Sequence, residues 1–129
     1  MRLQGQRAIS RAVDGARGFG TAQGLAKGDL ARLCIVVEEL IANLYDHGGV
    51  TEQDDVELTY FCDPKGIRIT IVDPGRPFNS WSTPPTVERD TRGGNAGTRL
   101  IQAWAELVSY HSSREGNRLE LLLPVRRET

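Results

Sequence analysis

Val37-Glu38-Glu39-Leu40-Ile41-Ala42-Asn43-Leu44-Tyr45-Asp46-His47-Gly48 is the stretch whose reading decides the fold. Leu30, Leu33, Val37, Leu40, Ile41 and Leu44 recur at helical spacing, which predicts one helix from Leu30 to Asp46 with an apolar stripe on one side. Asp29 stands ready to cap it, with Gly28 competing, and Gly48-Gly49 stops it. Glu39 and Asn43 are four residues apart and so share a face, roughly opposite the stripe. A plain surface helix would be polar there. Here Ile35, Val36 and Ala42 border the pair, which points to a helix covered on two sides. A solvated polar face is the simpler alternative.

Upstream, Arg7 to Phe19 carries Ile9, Val13 and Phe19 among small and basic residues and is expected to be helical before Gly15, Gly18, Gly20 and Gly24 break the chain. Downstream, Val56, Leu58, Tyr60 and Cys62 alternate with Glu57, Thr59 and Phe61, and Ile67, Ile69 and Ile71 alternate with Arg68 and Thr70. Period two on either side of Asp63-Pro64-Lys65-Gly66 predicts an antiparallel hairpin with one buried face. From Asp73-Pro74-Gly75-Arg76-Pro77-Phe78 the chain turns irregular, through Trp81 and Pro84-Pro85 to Gly93-Gly94-Asn95-Ala96-Gly97. A connection this long in a small domain is usually functional. A helix is expected after it, with Leu100, Ile101 and Trp104 on its apolar side; Leu107-Val108 either continue that side or lead into a strand from Val108 to Ser112. A final hairpin then turns at Glu115-Gly116-Asn117, with Leu119, Leu121 and Leu123 on one face. Only Met1 to Gln6 could add an edge strand at the start. The order predicts one α+β domain over residues 1–129, a two-layer sandwich of a mixed, mostly antiparallel sheet with helices on one face.

The bulk properties exclude some classes. With 129 residues the chain is long enough for a real core. A net charge of -1 gives no electrostatic case for nucleic acid or an anionic membrane surface. No apolar run reaches membrane-spanning length, and Met1 to Gly5 lacks a signal-peptide core, so a cytoplasmic protein is expected. Cys34 and Cys62 match no metal spacing and read as small buried hydrophobes. His47 at a helix end and His111 on a strand are read as structural, Trp104 as core, and Trp81 as exposed or a partner anchor.

Three pieces carry chemistry: Glu39 with Asn43, Asp73 with Gly75, and the glycines at 93–97 opening a helix, a natural site for an anion. Each is weak alone. The ordered set, Glu-x-x-x-Asn on a helix, Asp-x-Gly-x-Pro-Phe after a hairpin and a glycine-rich stretch before a helix, resembles the GHKL (Bergerat-fold) ATPase superfamily. Within it, the chain is most similar to the small anti-sigma-factor serine/threonine kinases of bacteria, from about Phe19 to Val125.

That resemblance implies a histidine-kinase-like ATPase fold that uses ATP and Mg2+. It assigns Glu39 as the general base, Asn43 as the magnesium ligand, and Asp73 as acceptor of the adenine amino group. Gly75 would let the base approach the backbone. Gly94 and Gly97, with Thr98 beside them, fall in the loop that wraps the phosphates. Asn79 to Arg92 falls on an ATP lid, with Arg92 a candidate phosphate contact. It also implies a sigma factor and a STAS-domain antagonist as partners, and allows a homodimer. Two positions depart from the family pattern: Asn95 stands where the loop's first glycine is expected, and Asp46 where many relatives carry a basic residue. A regulatory binding module that kept the fold without the kinase step is the alternative. A free-standing ATPase subunit or histidine-kinase-like fragment is a third reading, ranked last because the sequence shows no dimerising helical hairpin with a phosphoacceptor His.

Overall fold

The computed structural model describes residues 1–79, 81 and 94–125, except the side chains of 94–98. The chain forms β1 (Arg2–Leu3), a short 3-10 turn, α1 (Ala8–Ala22), α2 (Lys27–His47), β2 (Val56–Asp63), β3 (Gly66–Asp73), α3 (Gly94–Trp104), β4 (Glu106–Ser113) and β5 (Gly116–Pro124). The sheet order is β1-β2-β3-β5-β4. Every pairing among the described residues is antiparallel, where the sequence had left a mixed sheet open. The edge strand at the N-terminus exists but is two residues long.

The β2–β3 hairpin forms with the expected register, Asp63 opposite Gly66. Asp63 Oδ1 accepts the Lys65 N–H at 2.8 Å and closes the turn. Leu58, Ile67, Ile69, Ile71, Leu119, Leu121 and Leu123 are buried on the inner face. The outer face carries the charges, Arg68 bridging Asp63 at 2.8 Å and Glu120 at 2.9 Å, together with exposed Phe61 and buried Leu122. One dry face and one wet face is the condition under which period-two patterning stays readable.

α2 is longer than the sequence indicates, starting at Lys27 with Ala26 as its extended N-cap. Asp29 therefore lies inside the first turn and does not cap it. It pairs there with Arg32 at 2.8 Å, where a carboxylate also favours the helix dipole. The predicted stripe is buried apart from half-buried Leu30, and Val36 and Asn43 join it. Residues 36 and 43 share a second face, so α2 is covered on two sides. It packs against α1 as well as α3.

α1 differs from its reading. Its buried stripe is Ala8, Ala12, Ala16 and Gly20, while Ile9 and Val13 are half-buried. Small residues every fourth position let the helix approach closely: a Cβ on Gly20 would sit 2.6 Å from Leu30 Cδ1. Hydropathy periodicity gives alanine little weight, so the wrong residues stand out from sequence.

α3 stops short of Leu107-Val108, and the strand expected from Val108 to Ser112 forms, beginning at Glu106. The helix closes at Trp104, and Leu107 and Val108 lie on β4, 40% and 41% exposed. Among the described apolar residues of α3, Ile101 is fully buried and Trp104 is partly buried against the core. Cys34 and Cys62 are half-buried rather than buried. Among the described residues, no helix is long and apolar enough to cross a membrane.

Gly116 opens β5 against the end of β3. Its φ is +130°, and a Cβ there would lie 2.3 Å from the Asp73 carbonyl oxygen. Because the obstacle is backbone, Gly116→Ala is expected to cost about 3 kcal/mol and lower the melting temperature by about 10 °C in a thermal scan. A melting temperature unchanged in that variant would remove this account of the strand junction.

Candidate functional site

The C-terminal half of α2 carries Glu39 and Asn43, one turn and about 6 Å of helix rise apart. Glu39 is half-buried. Burial raises its pKa above the ordinary carboxylate value, and the neighbouring carboxylates Glu38 and Asp46 raise it further. Asp46 itself is exposed, so its charge reaches Glu39 from the outside of the helix. Asn43 is 7% exposed.

The turn after β3 docks on the end of that helix. The Asn43 carbonyl accepts the Gly48 N–H at 3.2 Å, and the Gly48 carbonyl accepts the Arg76 N–H at 3.1 Å. The Arg76 guanidinium also donates to the His47 carbonyl, from Nε at 3.0 Å and Nη2 at 2.6 Å. A cation on the last carbonyls of a helix satisfies groups that the helix itself cannot. Gly75 is required by this fit: a Cβ there would lie 2.3 Å from the Gly48 carbonyl oxygen. The His47 ring lies against Phe78, with centroids 6.2 Å apart. Two backbone bonds thus connect Asn43 to the turn that bears Asp73.

Asp73 is 5% exposed. Its Oδ1 accepts the Gly75 N–H at 2.8 Å and an Asn117 Nδ2–H at 3.1 Å. Among the described residues no hydrogen bond ends on Oδ2, so its lone pairs are uncommitted. Burial raises the Asp73 pKa, opposed by the bonds from Gly75 and Asn117, while the Asp54 carboxylate adds to the rise.

Gly94, Gly97 and Thr98 lie in the opening turns of α3 rather than in a loop before it. Glycine costs helix propensity there, and burial of Ile101 offsets it. The placement still offers backbone donors, since the first N–H groups of a helix have no partner within it. α3 packs against α2, the helix on which the turn after β3 also docks. Arg92 and most of the expected lid lie outside the described residues. Trp81, at the start of that segment, is partly buried: its Nε1–H donates to the Ala105 carbonyl at 3.0 Å. It is anchored to this chain rather than exposed.

Asn117 and Tyr110 were not singled out from sequence. Asn117 reads there as a turn residue but lies in β5, 3% exposed and opposite Asp73. The Tyr110 hydroxyl accepts the Phe78 N–H at 2.7 Å. The β3–β5 pairing brings Asn117 to the turn and the β4–β5 pairing brings Tyr110, and no local signal announces either.

The residues present suit a magnesium nucleotide. A buried carboxylate with one free oxygen matches an amine donor. Among the described residues no group of three or more His, Cys, Asp or Glu is placed to hold a metal. The side-chain carbonyl of Asn43 is an oxygen of the kind that magnesium prefers.

Comparison with known proteins agrees with this reading. The family model for the histidine kinase-like ATPase domain matches residues 5–123. Among solved structures, the chain is similar to the Erythrobacter litoralis EL346 blue-light activated histidine kinase, at 21% identity and a TM-score of 0.55. That match covers 78% of this chain and 32% of the other. The histidine kinase domain from the same protein matches at 20% identity and a TM-score of 0.53, covering 75% of this chain and 45% of that one. The chain thus spans less than half the length of these structures, and the likeness is one of fold. No curated protein matches it. The match over nearly the whole sequence, on a sheet and helices of the expected arrangement, shows that the chain belongs to the histidine kinase-like ATPase domain family of the GHKL superfamily.

Proposed function

We propose that this protein is an ATP-dependent protein-serine/threonine kinase acting as an anti-sigma regulatory factor, with a STAS-domain antagonist as its phosphoryl acceptor. The observation that carries the nucleotide part is the Asp73 turn, pinned through Oδ1 and bonded onto the helix that bears Glu39 and Asn43. Sigma-factor binding, the STAS acceptor and a homodimer rest on the resemblance of the motifs, and a cytoplasmic location goes with them.

Each residue has a role that its chemistry allows. Asp73 Oδ2 accepts from the adenine amine. Asn43 would hold the magnesium, which when bound neutralises phosphate charge. The opening amides of α3 face the phosphates. Glu39 takes the proton of the attacking serine or threonine hydroxyl, a task that its raised pKa favours.

The second reading, a binding module without kinase activity, is favoured by Asp46 and Asn95. Asp46 adds negative charge close to Glu39, and phosphates would meet it. Calorimetric titration with ATP, with and without magnesium, separates the readings when paired with a transfer assay on a STAS-domain protein. The kinase reading expects magnesium-dependent binding and phosphate on the acceptor. Binding without transfer would favour the module, and no binding at millimolar ATP would exclude the kinase.

A further inference from the structure

Trp81 grips the end of α3 at two points. Its Nε1–H donates to the Ala105 carbonyl at 3.0 Å, and its own carbonyl accepts a Gln102 Nε2–H at 3.1 Å. Positions 102 and 105 are three apart and so lie on one side of the helix end. Ala105, 3% exposed, is the one residue between α3 and β4. Its N–H closes the last helical turn on the Ile101 carbonyl at 2.8 Å. Its carbonyl is of the kind that a helix end leaves without an internal partner, and the indole supplies the donor. The Trp81 N–H is in turn held by Asn79 Oδ1 at 3.0 Å. A tryptophan that only filled the core would need a partner for its indole N–H and nothing from its main chain.

The same segment carries the Asp73 turn. Near its start it is bound to the end of α2, through Arg76 and the His47 carbonyl, and at Trp81 it is bound to the end of α3. The segment from Asp73 to Trp81 therefore joins the carboxylate that meets the base to the helix whose opening amides meet the phosphates.

We propose that Trp81, together with Gln102, is a positioning residue that sets the spacing between the base end of the site, at Asp73, and the phosphate end, at the start of α3. The inference rests on the nucleotide site proposed above. The leverage is large. α3 has 11 residues, so its first amides stand about 15 Å along the axis from the Trp81 contact. A tilt of about 5° at the held end moves them by about 1.3 Å over that length, and a misplacement of about 1 Å already impairs an oriented reaction. The described buried side chains of α3, Ile101 and partly buried Trp104, lie in its last turn. The helix is thus aimed from the end that Trp81 holds. The base end stands on other bonds: Asp73 Oδ1 keeps the Gly75 and Asn117 donors, and Arg76 keeps His47, without Trp81.

The experiment compares adenosine, which has only the base end, with magnesium ATP, which has both. Affinities of the whole chain are measured by NMR titration for adenosine and by calorimetry for magnesium ATP. The proteins are the wild type, Trp81→Phe, which keeps an aromatic ring without the N–H, and Gln102→Leu, which removes the other donor from an exposed position. In both variants adenosine affinity should stay within about two-fold. Magnesium ATP should bind about ten-fold more weakly in Trp81→Phe and about three-fold more weakly in Gln102→Leu, the scale of one lost hydrogen bond. A residue that only supports the fold would weaken both ligands by one factor. Equal losses for the two ligands, or magnesium ATP affinity unchanged in both variants, would overturn the proposal.

Should Trp81→Phe fail to fold, Gln102→Leu carries the same comparison. A second reading needs no nucleotide: the backbone amide resonances of residues 94–97 should shift in either variant while those of residues 73–75 hold still. Resonances of 94–97 that stay in place would overturn the proposal even if the wild type binds ATP. A wild type that binds neither ligand, with those amides shifted in the variants, would overturn the nucleotide reading and this role within it, while upholding the hold of Trp81 on α3.

Discussion

Asp73→Asn is expected to weaken ATP binding about 100-fold, equivalent to about 3 kcal/mol, without unfolding the protein. The substitution is isosteric. Its Oδ1 still accepts from Gly75 and Asn117, so the turn keeps both bonds. What changes is the outward atom: an acceptor oxygen becomes an NH2 donor facing the donor amine of adenine. The variant should accordingly shift its preference toward inosine triphosphate, whose carbonyl accepts. Stability moves the other way. The Asp73 pKa is raised in the folded state, so its contribution to stability is present below the ordinary carboxylate range and is lost as pH rises through the folded value. At neutral pH its buried charge is a net cost. Asp73→Asn removes that cost, and its melting temperature should equal or exceed that of the wild type at pH 7. A large loss of melting temperature, or ATP affinity within a few-fold of wild type, would place the adenine elsewhere.

Glu39→Gln should separate binding from chemistry. Its amide keeps the shape of the side chain, and ATP affinity should stay within about two-fold. Transfer to a STAS-domain acceptor should fall by about a thousand-fold, the scale of a lost general base. The pH profile gives an independent reading. A base must be deprotonated to act, so wild-type transfer should rise with pH through the Glu39 pKa and then level. Because burial and the carboxylates of Glu38 and Asp46 raise that pKa, the limb should lie above the range of an exposed glutamate. Asp46→Asn should move it toward lower pH. Single-turnover transfer at a series of pH values measures both effects. A flat profile, or transfer unaffected in Glu39→Gln, would strip Glu39 of its role.

These two residues were legible for different reasons. Glu39 and Asn43 stand on a helix whose period is set by local backbone geometry, so their shared face could be read from spacing alone. Asp73 was marked by the end of an alternating strand and the Pro-Gly that follows it. Arg76 carried no such mark, since its partner is a helix end 29 positions earlier in the chain. Trp81, read as exposed or a partner anchor, instead bonds Ala105. Both contacts exist only once the helices lie on the sheet.

The patterns along the chain determined the helix of Glu39 and Asn43, the Asp63–Gly66 hairpin and a sheet with one buried face. Helical and strand periods are local properties, written wherever one side of an element stays dry. Only the tertiary structure decided that Asn117 would clasp the Asp73 turn, that the alanines would be the buried side of α1, and that Gly94 to Thr98 would join a helix. Those outcomes depend on β3 pairing with β5 and on how closely the helices approach. Such long-range contacts reward a residue for its partner, and a partner distant in the chain leaves no periodicity to read.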